Sequence, residues 1–385
     1  DFAAALSLGA RRLFCPSGNL QCLDKVNVTT LSTNRTKAEE QPTKENFKRA
    51  LGRIAQQAKE GDIVVIYLAG HGVSLGTNTD TYFYLTKEAK SASREDLTKT
   101  YQSAAISSEE LRDWLTQTEW RGAGEKGLRP GKLVLILDTC AAGNAAGQLT
   151  LTAKRDLSSD QIRAIEFLKD KTSTMILMGS AADAPSYEAS RYGQGLLTYA
   201  LLQGMKGAAL DKGEYVDVQT LFSYAQREVP RMAANIGGIQ RPIIKAPEGK
   251  TFVIGQMTET EKSQVRLPSP KPLLLRPLLM NAETSDDDLK LIPALRKRFD
   301  AESSYELMKR SGKGEPTLVY VDDDSFPEAL RLTGSYTMVG DKVRVKAFLR
   351  KDGQTVATLA EIVASKESVV EELVHAVRNV LTQLR

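Results

Sequence analysis

The sequence is poor in the residues most often used for nucleophilic and metal chemistry. Its 385 residues hold three cysteines, Cys15, Cys22 and Cys140, and two histidines, His71 and His375. Cys15 and Cys22 could pair, but so sparse and odd a set of thiols reads as that of a reducing, cytoplasmic compartment rather than a disulfide framework. No apolar run is long enough to span a bilayer, and no signal peptide is visible. An excess of one charge is also missing. The formal net charge is +4 with 26% charged residues, and no Lys/Arg run interleaved with aromatics supports a nucleic-acid partner. What remains is an ordinary globular composition, 41% hydrophobic, with length enough for two domains. The chain opens at Asp1 on a helical pattern, so a leader or first strand is expected to precede it.

The stretch that organises the chain is Lys132 to Gly143, KLVLILDTCAAG. Five apolar residues, Leu133 to Leu137, end abruptly in Asp138, Thr139 and Cys140. This is the pattern of a strand buried on both faces that delivers a thiol into a tight turn. Asp62 to Gly72, DIVVIYLAGHG, has the same form and ends in His71 between two glycines that would let a turn take positive φ. Paired in parallel, the two strands would place Cys140 and His71 together at the sheet edge where open α/β folds carry their sites.

Around these strands, helical and extended patterns alternate. Residues Asp1 to Leu13 read as a helix and Lys25 to Leu31 as a strand. Thr43 caps a helix carrying Phe47, Leu51 and Ile54, and Ser107 or Ser108 caps another with Glu110 as its box partner. Thr81 to Leu85, Thr174 to Met178 and Thr251 to Ile254 read as strands, and Gln194 to Lys206 and Val218 to Val229 as helices. The GAGEKG match near Gly122 follows a helix and precedes a strand, the reverse of a dinucleotide fingerprint, and is rejected. The expectation is an α/β unit over 1–256 with a mostly parallel sheet flanked by helices. A proline-rich linker follows over 257–280, and then a smaller α+β domain over 281–385. In that domain Ser335 to Leu349 reads as a hairpin turning at Gly340-Asp341, and Glu367 to Leu384 as an amphipathic helix.

Read singly, His71 is an ordinary loop histidine or a proton shuttle, and Cys140 a buried small residue or a nucleophile. His375, between Val374 and Ala376 in the last helix, reads as structural. Together, LAGHG and DTCAAG resemble the caspase-like cysteine peptidases, most of all their bacterial and metacaspase branch, over roughly Asp1 to Gln256. The resemblance implies a Cys140/His71 dyad, a thioester intermediate and an oxyanion hole from the backbone N–H groups of Gly72 and Cys140. It also places Asp138 in the first substrate pocket, where a carboxylate selects Arg or Lys; the alternative is an Asp that caps the following turn. Asp183 is a second pocket candidate and Glu188 a weaker third. Lys154-Arg155 is either a self-processing site or a solvated loop. The family pattern differs here at Ala141-Ala142, where Ser or His is usual.

The implied partner is a protein or peptide substrate, with neither metal nor cofactor required. Some metacaspases use calcium, but the acid clusters Asp286 to Asp288 and Asp322 to Asp324 read as caps of helices and turns. TGSYTMVGDKVRVKAFL, from Thr333 to Leu349, resembles bacterial envelope-associated and sensor-like α+β domains, and residues 281–385 read either as a binding or regulatory module for a protein partner or as a purely structural unit. A caspase-like scaffold with a silent dyad is the rival reading.

Overall fold

The computed structural model describes residues 1–15, 25–59, 61–75, 81–90, 100–116, 132–141, 174–179, 181–182, 191–236, 238–247, 249–303 and 316–384. They fall into two units: Asp1–Ala184, Leu197–Met232 and Gly238–Leu267 form the first, and Pro185–Leu196, Ala233–Gly237 and Pro268–Arg385 the second.

The first unit opens with helices α1 (Phe2–Phe14) and α2 (Lys44–Gln57) and strands β1 (Ile63–Leu75), β2 (Thr81–Leu85) and β3 (Ala105–Ser107). It continues through α3 (Ser108–Thr116), β4 (Lys132–Ala141), β5 (Met175–Met178), β6 (Ala181–Ala182) and α4 (Leu196–Gln203). It closes with β7 (Tyr215–Asp217), α5 (Val218–Ala234), β8 (Ile239–Gln240), β9 (Ile243–Lys245), β10 (Val253–Gln256) and α6 (Glu259–Gln264). The two expected caps form as their chemistry requires. The Thr43 hydroxyl accepts the Asn46 N–H at 3.2 Å, and Ser107 and Glu110 exchange the reciprocal bonds of a capping box, both 3.0 Å.

Six strands make the main sheet in the order β3-β2-β1-β4-β5-β9. Only the centre is parallel: β4 lies between β1 and β5 in parallel register, while β2, β3 and β9 join antiparallel. The sheet is therefore mixed rather than mostly parallel: its parallel centre is flanked on both sides by antiparallel strands, with β9 joining β5 from far along the chain. Leu133 to Leu137 and Met175 to Met178 are buried without a break, as an apolar run covered on both faces requires. Leu51 and Ala55 of α2 and Leu111, Trp114 and Leu115 of α3 pack with Val64, Ile66 and Leu68 on one face. Phe2 of α1 meets Tyr67 from the other, with ring centroids 4.9 Å apart. Lys25 to Leu31, expected to be a strand, joins no ladder. Cys15 is disulfide-bonded, so this cysteine is not a reduced thiol; Cys22 lies outside the described residues. No helix among the described residues is long and apolar enough to cross a membrane.

The stretch 257–280 forms structure instead of a linker. Helix α6 lies in it, and its leucines build β11 (Leu273–Leu275) and β12 (Leu278–Asn281), the first strands of the second unit. Prolines flank these strands without interrupting their ladders, which is where sheets tolerate them. Next come α7 (Leu291–Ser303), β13 (Val319–Val321), β14 (Arg331–Val339), β15 (Lys342–Lys351), β16 (Gln354–Thr358), β17 (Ile362–Ser365) and α8 (Val369–Gln383). β12, β14, β15 and β16 pair in that order, β17 also pairs with β15, and β11 pairs with β13. The expected hairpin turns at Gly340, whose φ of 63° favours glycine. Gly334 is required for a different reason: a Cβ there would sit 2.2 Å from the Lys346 carbonyl oxygen of the neighbouring strand. Leu373, Val374, Val377 and Leu381 of α8 and Leu295 and Phe299 of α7 fill one face of this sheet with Leu332, Tyr336, Val343, Val345 and Leu349.

Candidate active site

The central pair of strands brings the two candidate groups together. β1 and β4 run in unbroken parallel register from Ile63 opposite Lys132 to Gly72 opposite Ala141, and within it His71 is paired with Cys140. Adjacent strands lie about 4.8 Å apart and register partners share a face of the pleat. His71 and Cys140 therefore occupy neighbouring positions on one face of the sheet. His71 is exposed. Both residues lie within strands, not in the turns expected for them: β1 continues to Leu75 and pairs with β2, with Gly72 opposite Tyr84.

Gly70 shows why this segment carries glycine. Its φ is +153°, and a Cβ there would lie 3.3 Å from the Tyr84 hydroxyl, so a side chain would be strained and crowded. The Tyr84 hydroxyl donates to the Ala69 carbonyl at 3.0 Å, tying β2 to the residue two before His71. Gly72 and Cys140, the expected oxyanion donors, lie diagonally across the β1–β4 ladder.

Asp138 stands opposite Ala69, two residues before Cys140. Its Oδ2 accepts the backbone N–H of Thr198 at 3.1 Å and also the Thr198 hydroxyl. The Tyr67 hydroxyl, 2.5 Å from Thr198 Oγ1, completes a Tyr67–Thr198–Asp138 relay. The bond from the Thr198 N–H places Asp138 at the first turn of α4, where a carboxylate complements the helix dipole. Asp138 thus caps a helix distant in sequence. Burial raises its carboxyl above the ordinary value, against the lowering effect of the Thr198 bonds. Burial and then the nearby Asp138 charge push the Tyr67 hydroxyl up as well. Asp138 Oδ1 and Gln240 Nε2 flank Gly179, 3.6 and 3.1 Å from the point where its Cβ would stand.

Asp183, Glu188, Lys154 and Arg155 lie outside the described residues. The acid clusters of the second unit have other work. Asp287 caps α7 through both oxygens, to Leu291 N and Ile292 N at 2.8 Å each, and Asp322 binds Arg276 and Arg296. Among the described residues no group of three or more His, Cys, Asp or Glu is arranged to hold a metal ion.

Tyr67 and Thr198 were not singled out from sequence, yet each left a trace. Each places a hydroxyl inside an otherwise apolar run, DIVVIYLAG and LLTYALL, and a hydroxyl buried there needs a partner.

Residues 20–253 match the family model of the caspase domain. No curated protein matches the chain significantly. Among solved structures, the crystal structure of a protein from Geobacter sulfurreducens is 16% identical, with a TM-score of 0.30, covering 55% of this chain and 76% of its own.

Proposed function

Because the chain belongs to the caspase-domain family, a family of cysteine peptidases, we propose that it is an endopeptidase cutting after Arg or Lys through a Cys140/His71 dyad. The observation that carries this reading is the register pairing of His71 with Cys140 on adjacent parallel strands. In this mechanism the Cys140 thiolate attacks the scissile carbonyl, and the C–N bond breaks as His71 delivers a proton to the leaving amine. Water, deprotonated by His71, then cleaves the thioester and releases the acid and the free thiol. The tetrahedral oxyanions are held by the N–H groups of Gly72 and Cys140, where loss of one such donor typically costs about 3 kcal/mol. The mechanism calls for neither metal nor cofactor. The substrate is a protein or peptide, and a basic segment such as Lys154-Arg155 is a site the enzyme would process in itself.

The preference for a basic residue rests on Asp138. Its Oδ2 is committed to Thr198, which leaves Oδ1 for a substrate cation. Turnover of blocked peptides ending in Arg, Lys or Asp tests this, with Arg and Lys expected to lead; faster cutting after Asp overturns the basic pocket. The same commitment of Asp138 favours a second reading, a silent scaffold whose pocket is closed by its own helix. An Arg-based electrophile separates the two: the peptidase is labelled at Cys140 and its Cys140→Ala variant is not, whereas the scaffold takes no label.

A further inference from the structure

We propose that the uncovered face of the second unit's sheet is a docking surface for an acidic, extended protein segment. The sequence KVRVKAFLR of β15 divides by alternation. Val343, Val345, Ala347 and Leu349 point into the core beneath α7 and α8, each 2% exposed or less. Lys342, Arg344, Lys346 and Arg350 occupy the opposite face and are exposed. On that face Glu361 answers two of these cations, 3.4 Å from Arg344 and 3.9 Å from Lys346. Such exposed pairs are worth little, so the row keeps a surplus of positive charge in a molecule whose whole formal charge is +4.

The surface beside this row is not an ordinary solvated face. Met280 of β12 is paired with Ser335, which is paired in turn with Lys346; Val363 of β17 is paired with Arg344, and Val339 of β14 with Lys342. These three apolar side chains are 43, 49 and 42% exposed. Between Met280 and the cations lie the small residues Thr333, Ser335 and Thr337, and the Thr333 hydroxyl has no partner.

Successive cations on β15 are two residues apart, about 7 Å along a strand. An extended peptide with acids at alternate positions repeats at the same interval, and its remaining side chains suit the aliphatic margin. Single-stranded nucleic acid also carries regular negative charge, but it needs rings on which to stack its bases. The strands of this face offer only Phe348, which is half-buried. The charge row and the aliphatic margin therefore fit an acidic protein segment.

The test measures fluorescence anisotropy of a blocked eight-residue peptide of alternating Glu and Thr with the full chain near physiological salt. A peptide with Gln for Glu is the control. We expect the acidic peptide to bind at least about tenfold more tightly than the Gln peptide. Reversing two cations, Arg344→Glu with Lys346→Glu, should weaken it about tenfold or more, in line with electrostatic recognition at an interface. A control that changes net charge equally in the first unit, Arg53→Glu with Lys212→Glu, should stay within about twofold. All four side chains are exposed, and matched unfolding midpoints will show that the variants fold. Equal binding of the two peptides, or equal loss in the two double variants, overturns the proposal. So does binding of oligo-dT or of anionic lipid vesicles, in place of the peptide, that is lost on reversing Arg344 and Lys346.

Discussion

The two sheets of this molecule bury their strands in different ways, and the difference determines where each can carry chemistry. In the first unit β4 and β5 are covered on both faces, so no side chain in their interior reaches solvent. Any reactive group in this sheet has to lie where the apolar run ends, the position held by Asp138, Cys140 and, across the ladder, His71. In the second unit β15 alternates, with one face closed by α7 and α8 and the other open along its length. A double-covered sheet concentrates its function at an edge, whereas a single-covered sheet offers a surface.

The largest expected effect sets that contrast most sharply. Cys140→Ala and His71→Ala should each lower kcat/KM on a basic peptide by about a thousandfold or more, with little change in unfolding midpoint. Arg344→Glu in the second unit should leave kcat/KM within about twofold. A comparable loss from Arg344→Glu would break the division between edge and face, and would mean that the open sheet takes part in turnover.

A smaller effect separates the sheets by packing. Leu135→Ala removes a side chain 1% exposed at the centre of the first sheet and should cost about 3 kcal/mol in denaturant unfolding. Gly334→Ala adds a single methyl to the second sheet, but at 2.2 Å from a carbonyl oxygen it forces the ladder apart and should cost about 2 kcal/mol. If Gly334→Ala proves neutral, β14 and β15 are not held as closely as described.

These contrasts were legible to different degrees in the sequence. The double-covered strands were plain because a run such as LVLIL has few other ways to be buried, and both strand ends followed from them. The Gly340 turn and the face of α8 were equally plain, since alternation and the helical period are local signals. Three features were not local. The leucines at 273–275 and 278–279 sit among prolines, and only partners distant in sequence, β13 and β14, make strands of them. The antiparallel margins of the first sheet depend on pairings that periodicity does not encode. Asp138 was recognised as a strand-end acid, but its partner Thr198 lies on a helix sixty residues later in the chain, and no spacing rule links them.

Two carboxylates carry the comparison into pH. Burial raises Asp138 above the ordinary value of 3.8, while hydrogen bonds from Arg296 and Arg276 hold Asp322 well below it. For Asp138 the folded state is the poorer host for the charge. Its cost to stability is absent below about pH 3.8 and is fully present above the raised folded value. For Asp322 the sign is reversed: its stabilisation is complete above about pH 3.8 and is lost as pH falls towards the depressed folded value. Asp138→Asn should therefore match or exceed the parent in melting temperature at pH 8 while losing activity on Arg peptides. Asp322→Asn should be less stable than the parent at pH 8, by a margin that begins to narrow only as pH falls below about 3.8. If both variants shift in the same direction at pH 8, burial does not distinguish the two sites.

The smallest effects concern how each unit begins a helix. In the first unit, Thr43 offers α2 one hydroxyl oxygen, which accepts one N–H, that of Asn46. In the second unit Asp287 offers α7 a carboxylate whose two oxygens accept the N–H groups of Leu291 and Ile292. The carboxylate satisfies one more orphan donor and brings a negative charge to the positive end of the helix. Asp287→Ala should accordingly cost about 1.5 kcal/mol and Thr43→Ala about 0.7 kcal/mol, both by denaturant titration. Asn at 287 keeps an acceptor without the charge, and the part of the loss it fails to restore measures the dipole's share. If Thr43→Ala costs as much as Asp287→Ala, the Asn46 contacts that hold the segment before α2, to the carbonyls of Ala38 and Gln41, depend on the cap as well.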